Sequence, residues 1–237
     1  MVHGEVKALL FDVFGTVVDW RSAVAAEVAA AARALGVTCD GYALADAWRG
    51  AYAPAMARVR EGLIPWANID ALHRAALDRL LPEHGLAGLD EAGRLHLNRA
   101  WHRLPPWPDA RDGLLRLKRR FIIGTLSNGN IALLVNMAKF AALPWDVVLS
   151  SELFRHYKPD PETYDGACAL LGLAPREVML VAAHNADLSA ARGRGLATAF
   201  VPRRAEYGVG QTRDLVPEDA WDVIATDFAD LAGRLGA

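Results

Sequence analysis

Five short, continuous apolar runs recur along the chain, and stretches with the apolar spacing of amphipathic helices separate most of them. Such runs, without a polar residue at every second position, are typical of parallel strands that are covered on both faces. Strands that alternate with helices form βαβ units, which close into a doubly wound sheet. The pattern therefore predicts an α/β protein with a Rossmann-like, doubly wound parallel sheet. The predicted strands are Lys7–Phe11, Phe121–Leu126, Val147–Leu149, Val178–Ala182 and Thr198–Val201, and the predicted helices among the later strands are Ala110–Arg119, Ile131–Phe140, Pro161–Leu171 and Leu188–Gly195.

Residues 20–104 interrupt this alternation. The segment is rich in Ala, Leu and Arg at helical spacing and contains no convincing strand, which predicts four helices over residues 23–35, 42–60, 67–81 and 91–104. Pro105, Pro106 and Pro108 then mark a stiff return to the strand–helix pattern. A helical insert after the first strand lies over the carboxyl ends of the strands, where open α/β sheets bind ligands. We therefore expect a Rossmann-like catalytic core of residues 1–19 and 105–237 and a helical cap of residues 20–104.

The charge balance excludes nucleic acid as an expected partner. The chain has 26 Lys and Arg against 28 Asp and Glu, and no block of like charge is long enough to form a polyanion-binding arm. The opening MVHGEVKALLFDVF lacks the features of a secretory signal, and no apolar run approaches the roughly 20 residues that span a bilayer. We expect a cytoplasmic protein with no membrane partner, in which Cys39 and Cys168 are reduced structural thiols.

Polar residues follow the predicted strands at or near the points where they end. They are Asp12, the pair Ser127–Asn128, Lys158 and Asp187. In a parallel sheet the residues that follow successive strand ends converge on one crevice. A carboxylate at the end of a core strand is costly to desolvate unless a partner compensates it. We therefore expect Lys158 to pair with Asp12, lower the pKa of that carboxyl group and hold it ionised.

Each of these residues also has a purely structural interpretation. Asp12 suits a turn or a helix N-cap, Ser127–Asn128 a helix cap, Lys158 a loop before a helix, and Asp187 the first turn of the helix that follows. Taken singly, each structural interpretation is the more common one. Their joint occurrence in this order favours a shared site.

The motifs that contain these residues resemble those of the haloacid dehalogenase superfamily, hydrolases that use an aspartate nucleophile. The matching stretches are FDVFGT at 11–16, TLSNGN at 125–130, HYKPDPETY at 156–164 and VAAHNADLSAARGRG at 181–195. The resemblance spans residues 8–201 and includes the helical cap. Phosphatase members carry a second aspartate two positions after the nucleophile, where this chain has Phe14, and an acidic Mg²⁺ ligand at the position of Ala183. The site therefore suits a leaving group that departs without being protonated.

A halide departs in this way, and the sequence closely resembles the type II L-2-haloacid dehalogenases. The resemblance implies that Asp12 attacks the carbon that bears the halogen, with inversion, and forms an ester that water then hydrolyses to a 2-hydroxy acid. Arg49 and Asn128 match the residues that hold the halide, and a guanidinium suits this role because it stays charged and is weakly hydrated. Without the resemblance, Arg49 is equally compatible with the solvated face of an amphipathic helix.

The resemblance also assigns roles to the remaining motif residues. The substrate carboxylate is expected to be held by Ser127, by the backbone N–H groups of the turn after Asp12 and by the positive field of Lys158. The turn in question contains Val13 and Phe14. Thr16 is expected to orient the nucleophile, Tyr164 to be a further residue of the active site, and Asp187 to orient Lys158 and help to activate water.

One motif departs from the pattern of the family. Alignment on Asp187 places His184 where the better-known members have an asparagine that contacts the hydrolytic site, and Ala182 where they have a serine. A histidine at this point suits a general base for ester hydrolysis. It equally suits a residue that only hydrogen-bonds Asp187 or the backbone, and the sequence leaves both open.

Two rival functions remain at this point. One is a magnesium-dependent phosphatase of the same fold, which Phe14 and Ala183 disfavour. The other is a catalytically silent binding protein, which the joint presence of the nucleophile, the lysine and the remaining motif residues disfavours. We expect a cofactor-independent hydrolase of short 2-haloalkanoic acids with no bound metal, and the resemblance implies a homodimer.

Overall fold

A sheet of six parallel strands forms the centre of the protein, whose structure, a computed structural model, describes residues 5–237. The strand order is β3-β2-β1-β4-β5-β6, so β1 lies between β2 and β4. This confirms the predicted α/β fold with its Rossmann-like parallel sheet, while residues 1–4 of the predicted core lie outside the described residues. The strands are β1 Ala8–Phe11, β2 Ile122–Ser127, β3 Val147–Ser150, β4 Val178–Ala182, β5 Ala197–Phe200 and β6 Val223–Ile224.

Both faces of the sheet are buried, which explains why the central strands have continuous apolar sequences. Along β1, Leu9 and Phe11 point into one hydrophobic cluster, whereas Ala8 and Leu10 point into a second cluster on the opposite face. All four side chains are fully buried. Burial of one leucine side chain stabilises a fold by about 1.5–3 kcal/mol, so the strand is firmly anchored up to the residue before Asp12.

Helices cover both faces of the sheet and make up most of residues 20–104. The helices of that segment are α1 Trp20–Leu35, α2 Gly41–Gly50, α3 Tyr52–Arg60, α4 Ile69–Glu83 and α5 Glu91–Asn98. The later helices are α6 Ala110–Leu117, α7 Ile131–Ala141, α8 Ser151–Phe154, α9 Pro161–Leu171, α10 Asn185–Gly193 and α11 Phe228–Arg234. None of the helices in residues 5–237 combines the length and the apolar composition that a bilayer crossing requires.

The second predicted cap helix, residues 42–60, is two helices in the structure. α2 ends at Gly50 and α3 begins at Tyr52. Pro54 explains the break, because it lacks the N–H group that would donate to the Gly50 carbonyl in a continuous helix. The fourth predicted cap helix is also shorter, since α5 ends at Asn98 and a 3₁₀ turn follows over Arg99–His102.

The insert joins the sheet through two adjacent chain segments. Val18 forms an antiparallel bridge with Pro106, and the N–H of Trp107 donates to the Val17 carbonyl at 2.9 Å. Contacts also link the insert to the loops that follow the strands. They include Arg60 to Asp160 at 2.7 Å, the hydroxyl of Tyr157 to the carbonyl of Ala67 at 2.5 Å, and Asn130 to Asp70 at 2.9 Å. The helical insert therefore lies at the carboxyl edge of the sheet, while its exact boundaries as a cap domain stay a prediction.

Candidate active site

Asp12 is the first residue after β1, and three donors surround its carboxylate. Thr16 Oγ1 donates to Oδ2 at 2.8 Å, Lys158 Nζ donates to Oδ1 at 2.9 Å, and His184 Nδ1 lies 3.0 Å from Oδ2. Only 8% of the residue is exposed. Burial alone would raise the pKa of Asp12, but Lys158 and His184 outweigh that effect and hold the pKa well below its usual range. The carboxylate is therefore ionised and held in one orientation.

Lys158 joins the nucleophile to a second carboxylate, as the order of the strand ends predicts. Its ammonium group hydrogen-bonds both Asp12 and Asp187, and the residue is only 9% exposed. Burial lowers the pKa of Lys158, and the two carboxylates raise it above its ordinary value in spite of that burial. The lysine therefore stays charged and compensates the charge at the end of the core strand.

The helices α9 and α10 fix the far side of this network. Tyr164 lies in the first turn of α9 and donates its hydroxyl to Asp187 Oδ1 at 2.6 Å. Asp187 lies in the first turn of α10, where a carboxylate interacts favourably with the helix dipole. Burial and the neighbouring Asp187 raise the pKa of Tyr164, so its hydroxyl remains a donor. Both oxygens of Asp187 thus have a donor, Tyr164 on one and Lys158 on the other.

His184 lies between two carboxylates, neither of which is Asp187. Its Nδ1 faces Asp12, and its Nε2 lies 2.8 Å from Glu206 Oε2. Burial lowers the pKa of His184, but Glu206 and Asp12 together raise it well above the ordinary value. With Asp12 ionised, the histidine is therefore an imidazolium that donates to both neighbours.

Glu206 is a residue of the site that the sequence motifs do not identify. It lies in the loop after β5, is 1% exposed, and accepts a hydrogen bond from Trp20 Nε1 at 3.0 Å. The rule that polar residues after strand ends converge applies to this loop too, and it was the available signal. Gly15 accommodates this approach: its φ is +83°, and a Cβ there would lie 2.1 Å from Glu206 Oε1.

The cap contributes a cation that has no carboxylate partner in the described part of the chain. Arg49, near the end of α2, stacks its guanidinium over the rings of Tyr52 at 4.4 Å and Trp20 at 5.6 Å. Its Nη1 is buried and has no hydrogen-bond partner among residues 5–237. Burial opposes the charge, while Tyr52, Tyr207 and Glu206 raise the pKa of the guanidinium. The structure thus places Arg49 at the site and not on a solvated helix face.

Most of these groups line an open cavity of about 230 Å³ between the insert and the sheet. A second cavity, of about 510 Å³, shares Arg49, Tyr52, His184 and Ala186 with the first. Asn128 lies in the wall of the smaller cavity, and its side-chain oxygen accepts from the backbone N–H of Lys158 at 2.8 Å. The residues that line the smaller cavity are Asp12, Phe14, Arg49, Tyr52, Asn128, Lys158, Pro159, Tyr164, His184, Ala186 and Asp187.

Three predicted residues lie behind this wall. Ser127 is fully buried at the end of β2, and its Oγ accepts from the N–H of Gly129 at 3.1 Å. Thr16 acts on the cavity through Asp12, and its Oγ1 also accepts from the N–H of Ala183 at 2.9 Å. Val13 is buried in the turn after the nucleophile. A direct contact of Ser127 or Val13 with substrate stays a prediction.

The two positions that distinguish phosphatases hold apolar side chains. Phe14 lines the cavity and packs edge-on against the rings of Tyr52 and Trp101, at centroid distances of 6.4 and 5.8 Å. Ala183 is buried beneath the site. Neither position offers a proton donor for a leaving alcohol or a ligand for a cation.

Comparison with known proteins identifies the same family that the sequence motifs resemble. A family model described as haloacid dehalogenase-like hydrolase matches residues 6–195. The (S)-2-haloacid dehalogenase 4A of Burkholderia cepacia is 33% identical over 238 residues, which cover 95% of this chain and 98% of that protein. Among solved structures, an L-2-haloacid dehalogenase is 53% identical with a TM-score of 0.95, and 98% of this chain and 99% of that one are covered. A defluorinating L-2-haloacid dehalogenase is 50% identical, also with a TM-score of 0.95, over 98% and 96% of the two chains.

Proposed function

This chain belongs to the haloacid dehalogenase-like hydrolase family, and from that premise we propose that it converts short L-2-haloalkanoic acids and haloacetates to 2-hydroxy acids. The names of its relatives support this substrate class. The resemblance of its sequence motifs to those of type II enzymes supports the same class. The cavity of about 230 Å³ suits a substrate of a few heavy atoms.

The first half-reaction would form an ester. Asp12 attacks the carbon that bears the halogen from the side opposite the halogen, so a carbon–oxygen bond forms as the carbon–halogen bond breaks and the configuration inverts. The halide departs toward Arg49 and the side chain of Asn128. Because the carboxylate is already ionised and oriented by its three donors, little reorganisation precedes the attack.

The second half-reaction would release the product. Water attacks the carboxyl carbon of Asp12, the bond from that carbon to the ester oxygen breaks, and the 2-hydroxy acid leaves with that oxygen as its hydroxyl group. Lys158 keeps a positive charge beside the carboxyl group throughout, and Tyr164 and Asp187 keep the lysine in place. The substrate carboxylate is assigned to Lys158, Ser127 and the backbone N–H groups of Val13 and Phe14.

A single observation carries the proposal: a paired nucleophile and an unpaired cation line the same small cavity. Asp12 has a donor on each oxygen, whereas Arg49 Nη1 is buried without a partner among the described residues. Burial of an unpaired charged group costs free energy unless an anion compensates it in the working complex. A departing halide next to Arg49 would supply that compensation.

The donor set does not fit a Mg²⁺ ion of the kind that phosphatases of this fold use. The ammonium group of Lys158 bonds both Asp12 and Asp187, the two carboxylates that line the smaller cavity. Ala183, at the position of the acidic ligand, has no oxygen to offer in its side chain. The mechanism therefore includes no step through a metal.

We also propose that residues 20–104 act as a cap that excludes bulk water from the cavity, that the protein is cytoplasmic, and that it forms a homodimer. Exclusion of water strengthens the interactions of Arg49 with the leaving halide. The contacts of the insert with the strand-end loops support the first of these proposals. Light scattering at several concentrations tests the dimer.

The experiment that tests the function is halide release without added metal. The enzyme is incubated in EDTA with chloroacetate, bromoacetate, fluoroacetate and each enantiomer of 2-chloropropionate, with p-nitrophenyl phosphate as the rival substrate. We expect halide release from the L enantiomer with formation of D-lactate, and no phosphate release. Phosphate release that EDTA abolishes, or no turnover of any haloacid, would contradict the proposal.

A further inference from the structure

A buried glutamate stands behind the histidine that faces the nucleophile. Glu206 accepts from Trp20 Nε1 at 3.0 Å, and its other oxygen lies 2.8 Å from His184 Nε2. At 1% exposure this carboxylate is costly to desolvate, and His184 supplies the nearby positive charge that compensates it. On its other side His184 Nδ1 is 3.0 Å from Asp12 Oδ2. Three side chains thus form a continuous line from Glu206 to the nucleophile.

On the premise of the ester route above, we propose that His184 is the acid–base group of the second half-reaction and that Glu206 is its positioning residue. Glu206 accepts a hydrogen bond from the N–H group at Nε2, which keeps a proton on that nitrogen. In a neutral imidazole the lone pair must therefore lie on Nδ1, beside the carboxyl group of Asp12. A water that attacks this carboxyl group would meet Nδ1 within reach of a proton transfer.

The charge of Asp12 determines whether His184 is an imidazolium or a neutral imidazole. In the resting enzyme, the imidazolium donates to two carboxylates. Formation of the ester removes the negative charge of Asp12, and the imidazolium keeps only Glu206 as an anionic partner. Its pKa then falls, and the proton on Nδ1 is released to water. The base therefore appears only after the halide has been displaced.

The protons balance over the cycle. The attacking water gives one proton to Nδ1, and the imidazolium passes it to the oxygen of the departing 2-hydroxy acid. The carboxyl group of Asp12 then returns its own proton to His184, which restores the resting ion pairs. One proton and one halide are released for each water consumed. The step needs no further reactant.

The proton that His184 releases can leave through the larger cavity, because His184 lines both cavities. The histidine side chain is 18% exposed, and the larger cavity of about 510 Å³ lies on the side of Trp20 and Tyr207. Among residues 5–237, only Glu206 and Asp12 have side chains within ion-pair distance of the ring. Other titratable groups lie farther from the ring. Tyr207 lies beside Glu206, and Lys158 bonds the other oxygen of Asp12. The remaining groups in the walls of the two cavities include Asp46, Arg49, Tyr52, Arg213 and Asp214.

The test is Glu206→Gln, with halide release and 2-hydroxy acid release followed separately in one turnover. The glutamine oxygen accepts from Trp20, which turns its NH₂ group toward Nε2 and forces the histidine proton onto Nδ1, where it blocks the base. We expect halide release to stay within about 3-fold of wild type and ester hydrolysis to slow about 100-fold. Intact mass then shows the alkylated enzyme accumulating, and kcat falls while kcat/KM holds.

The pH profile separates this role from a structural one. Ester hydrolysis by the wild type should rise with pH as His184 loses its proton in the alkylated enzyme, and Glu206→Gln should lack this rise. Asp109→Asn is the matched control. It breaks another largely buried ion pair in the same region, that of Asp109 with Arg203 at 2.6 Å, and should lower stability without accumulation of the ester.

His184→Ala provides a second variant in case Glu206→Gln does not fold. It should accumulate the same ester, and the double variant should be no slower than the slower single variant. Unchanged ester hydrolysis, or equal slowing of both half-reactions, in whichever variant folds would overturn the proposal. Failure of the proposed function looks different, because the wild type would then release no halide from any haloacid.

Discussion

The core wall and the cap wall of the cavity differ in how far their charged groups are hydrogen-bonded. On the core wall, Asp12, Lys158, Asp187 and Tyr164 form one continuous chain of hydrogen bonds, in which each group has a partner. On the cap wall, Arg49 is surrounded by aromatic rings and has a buried N–H group without a partner among the described residues. The core wall is complete before substrate arrives, and the cap wall is not.

This difference indicates which wall assists the nucleophilic attack and which wall receives the leaving halide. A carboxylate that attacks must be ionised and oriented in advance, because any reorganisation would add to the barrier. A group that receives a leaving anion gains most if its own charge is left uncompensated until the anion forms. The completed wall therefore suits the nucleophile, and the incomplete wall suits the halide.

Removal of the central cation of the core wall should have the largest effect. Lys158→Met leaves Asp12 and Asp187 as neighbouring buried carboxylates, so we expect kcat/KM to fall by about 10³-fold or more and the free energy of unfolding to fall by about 3–5 kcal/mol. Steady-state kinetics and urea denaturation at neutral pH measure both.

Lys118→Met is the control for this variant. Lys118 pairs with Asp146 at 2.6 Å on the exposed surface, where an ion pair contributes about 0–1 kcal/mol, so both quantities should change little. If Lys158→Met kept wild-type stability, the core wall would not be the interdependent unit described above.

Removal of the unpaired cation of the cap wall should reduce activity without reducing stability. For Arg49→Gln we expect kcat to fall by about 100-fold, since a charged donor to the leaving group is lost. The free energy of unfolding should be unchanged or higher, because the variant removes a buried N–H group that has no partner within residues 5–237. Opposite signs of the stability change for Lys158→Met and Arg49→Gln are the clearest signature of the two-wall arrangement.

Halide binding sharpens the same comparison. Specific binding of bromide should raise the Tm of the wild type by mass action on the folded state, in addition to the general effect of the sodium salt, and Arg49→Gln should lose this additional rise. Arg58→Gln, an exposed arginine on the neighbouring helix α3, should retain it. An undiminished bromide effect in Arg49→Gln would remove the guanidinium from the halide site.

Tyr164→Phe tests the outer part of the core wall and should have a smaller effect. It removes one hydrogen bond to a carboxylate, so we expect kcat to fall by about 10-fold and stability by about 1.5–3 kcal/mol. Tyr157→Phe loses a comparable buried hydrogen bond, to the Ala67 carbonyl, and should lower stability but leave kcat within about 2-fold. Equal activity of the two variants would show that the position of Asp187 does not matter.

The smallest expected effect is a pH dependence of stability at His184. Because the pKa of His184 is raised in the folded state, its ion pairs contribute fully below the unfolded value of 6.5, and the contribution is lost as pH rises through the raised pKa. Wild type should therefore exceed His184→Gln by the most, on the order of 1 kcal/mol, between about pH 5 and 6.5. A difference that grew with rising pH would have the wrong sign.

The fold was predictable where the local pattern alone decides the structure. The strands at Ala8–Phe11 and Val178–Ala182 have continuous apolar sequences because both of their faces are buried. The strand Val223–Ile224 was missed because two residues carry no periodicity, and the helix Phe228–Arg234 that follows it was missed as well. The break between α2 and α3 was signalled by Pro54, but amphipathic spacing on both sides of it concealed the boundary.

The site was predictable to the extent that it follows strand ends in chain order. Asp12, Lys158 and Asp187 come together as expected, because the topology of a parallel sheet fixes their approach. The position of Glu206 after β5 indicated that it lies at the same edge of the sheet, but its contact with His184 depends on the path of an irregular loop and was not predictable. Arg49 depended on the family resemblance, because a helix face does not reveal which side meets the sheet.

The covalent role of Asp12 is tested most directly by one turnover in ¹⁸O-labelled water with enzyme in excess over an L-2-haloacid. We expect mass spectrometry of the peptide containing Asp12 to find the label in that carboxyl group, while the oxygen of the 2-hydroxyl group of the product is unlabelled. Label in the hydroxyl group of the first product molecules, with an unlabelled Asp12, would show direct attack by water and would contradict a covalent role for Asp12.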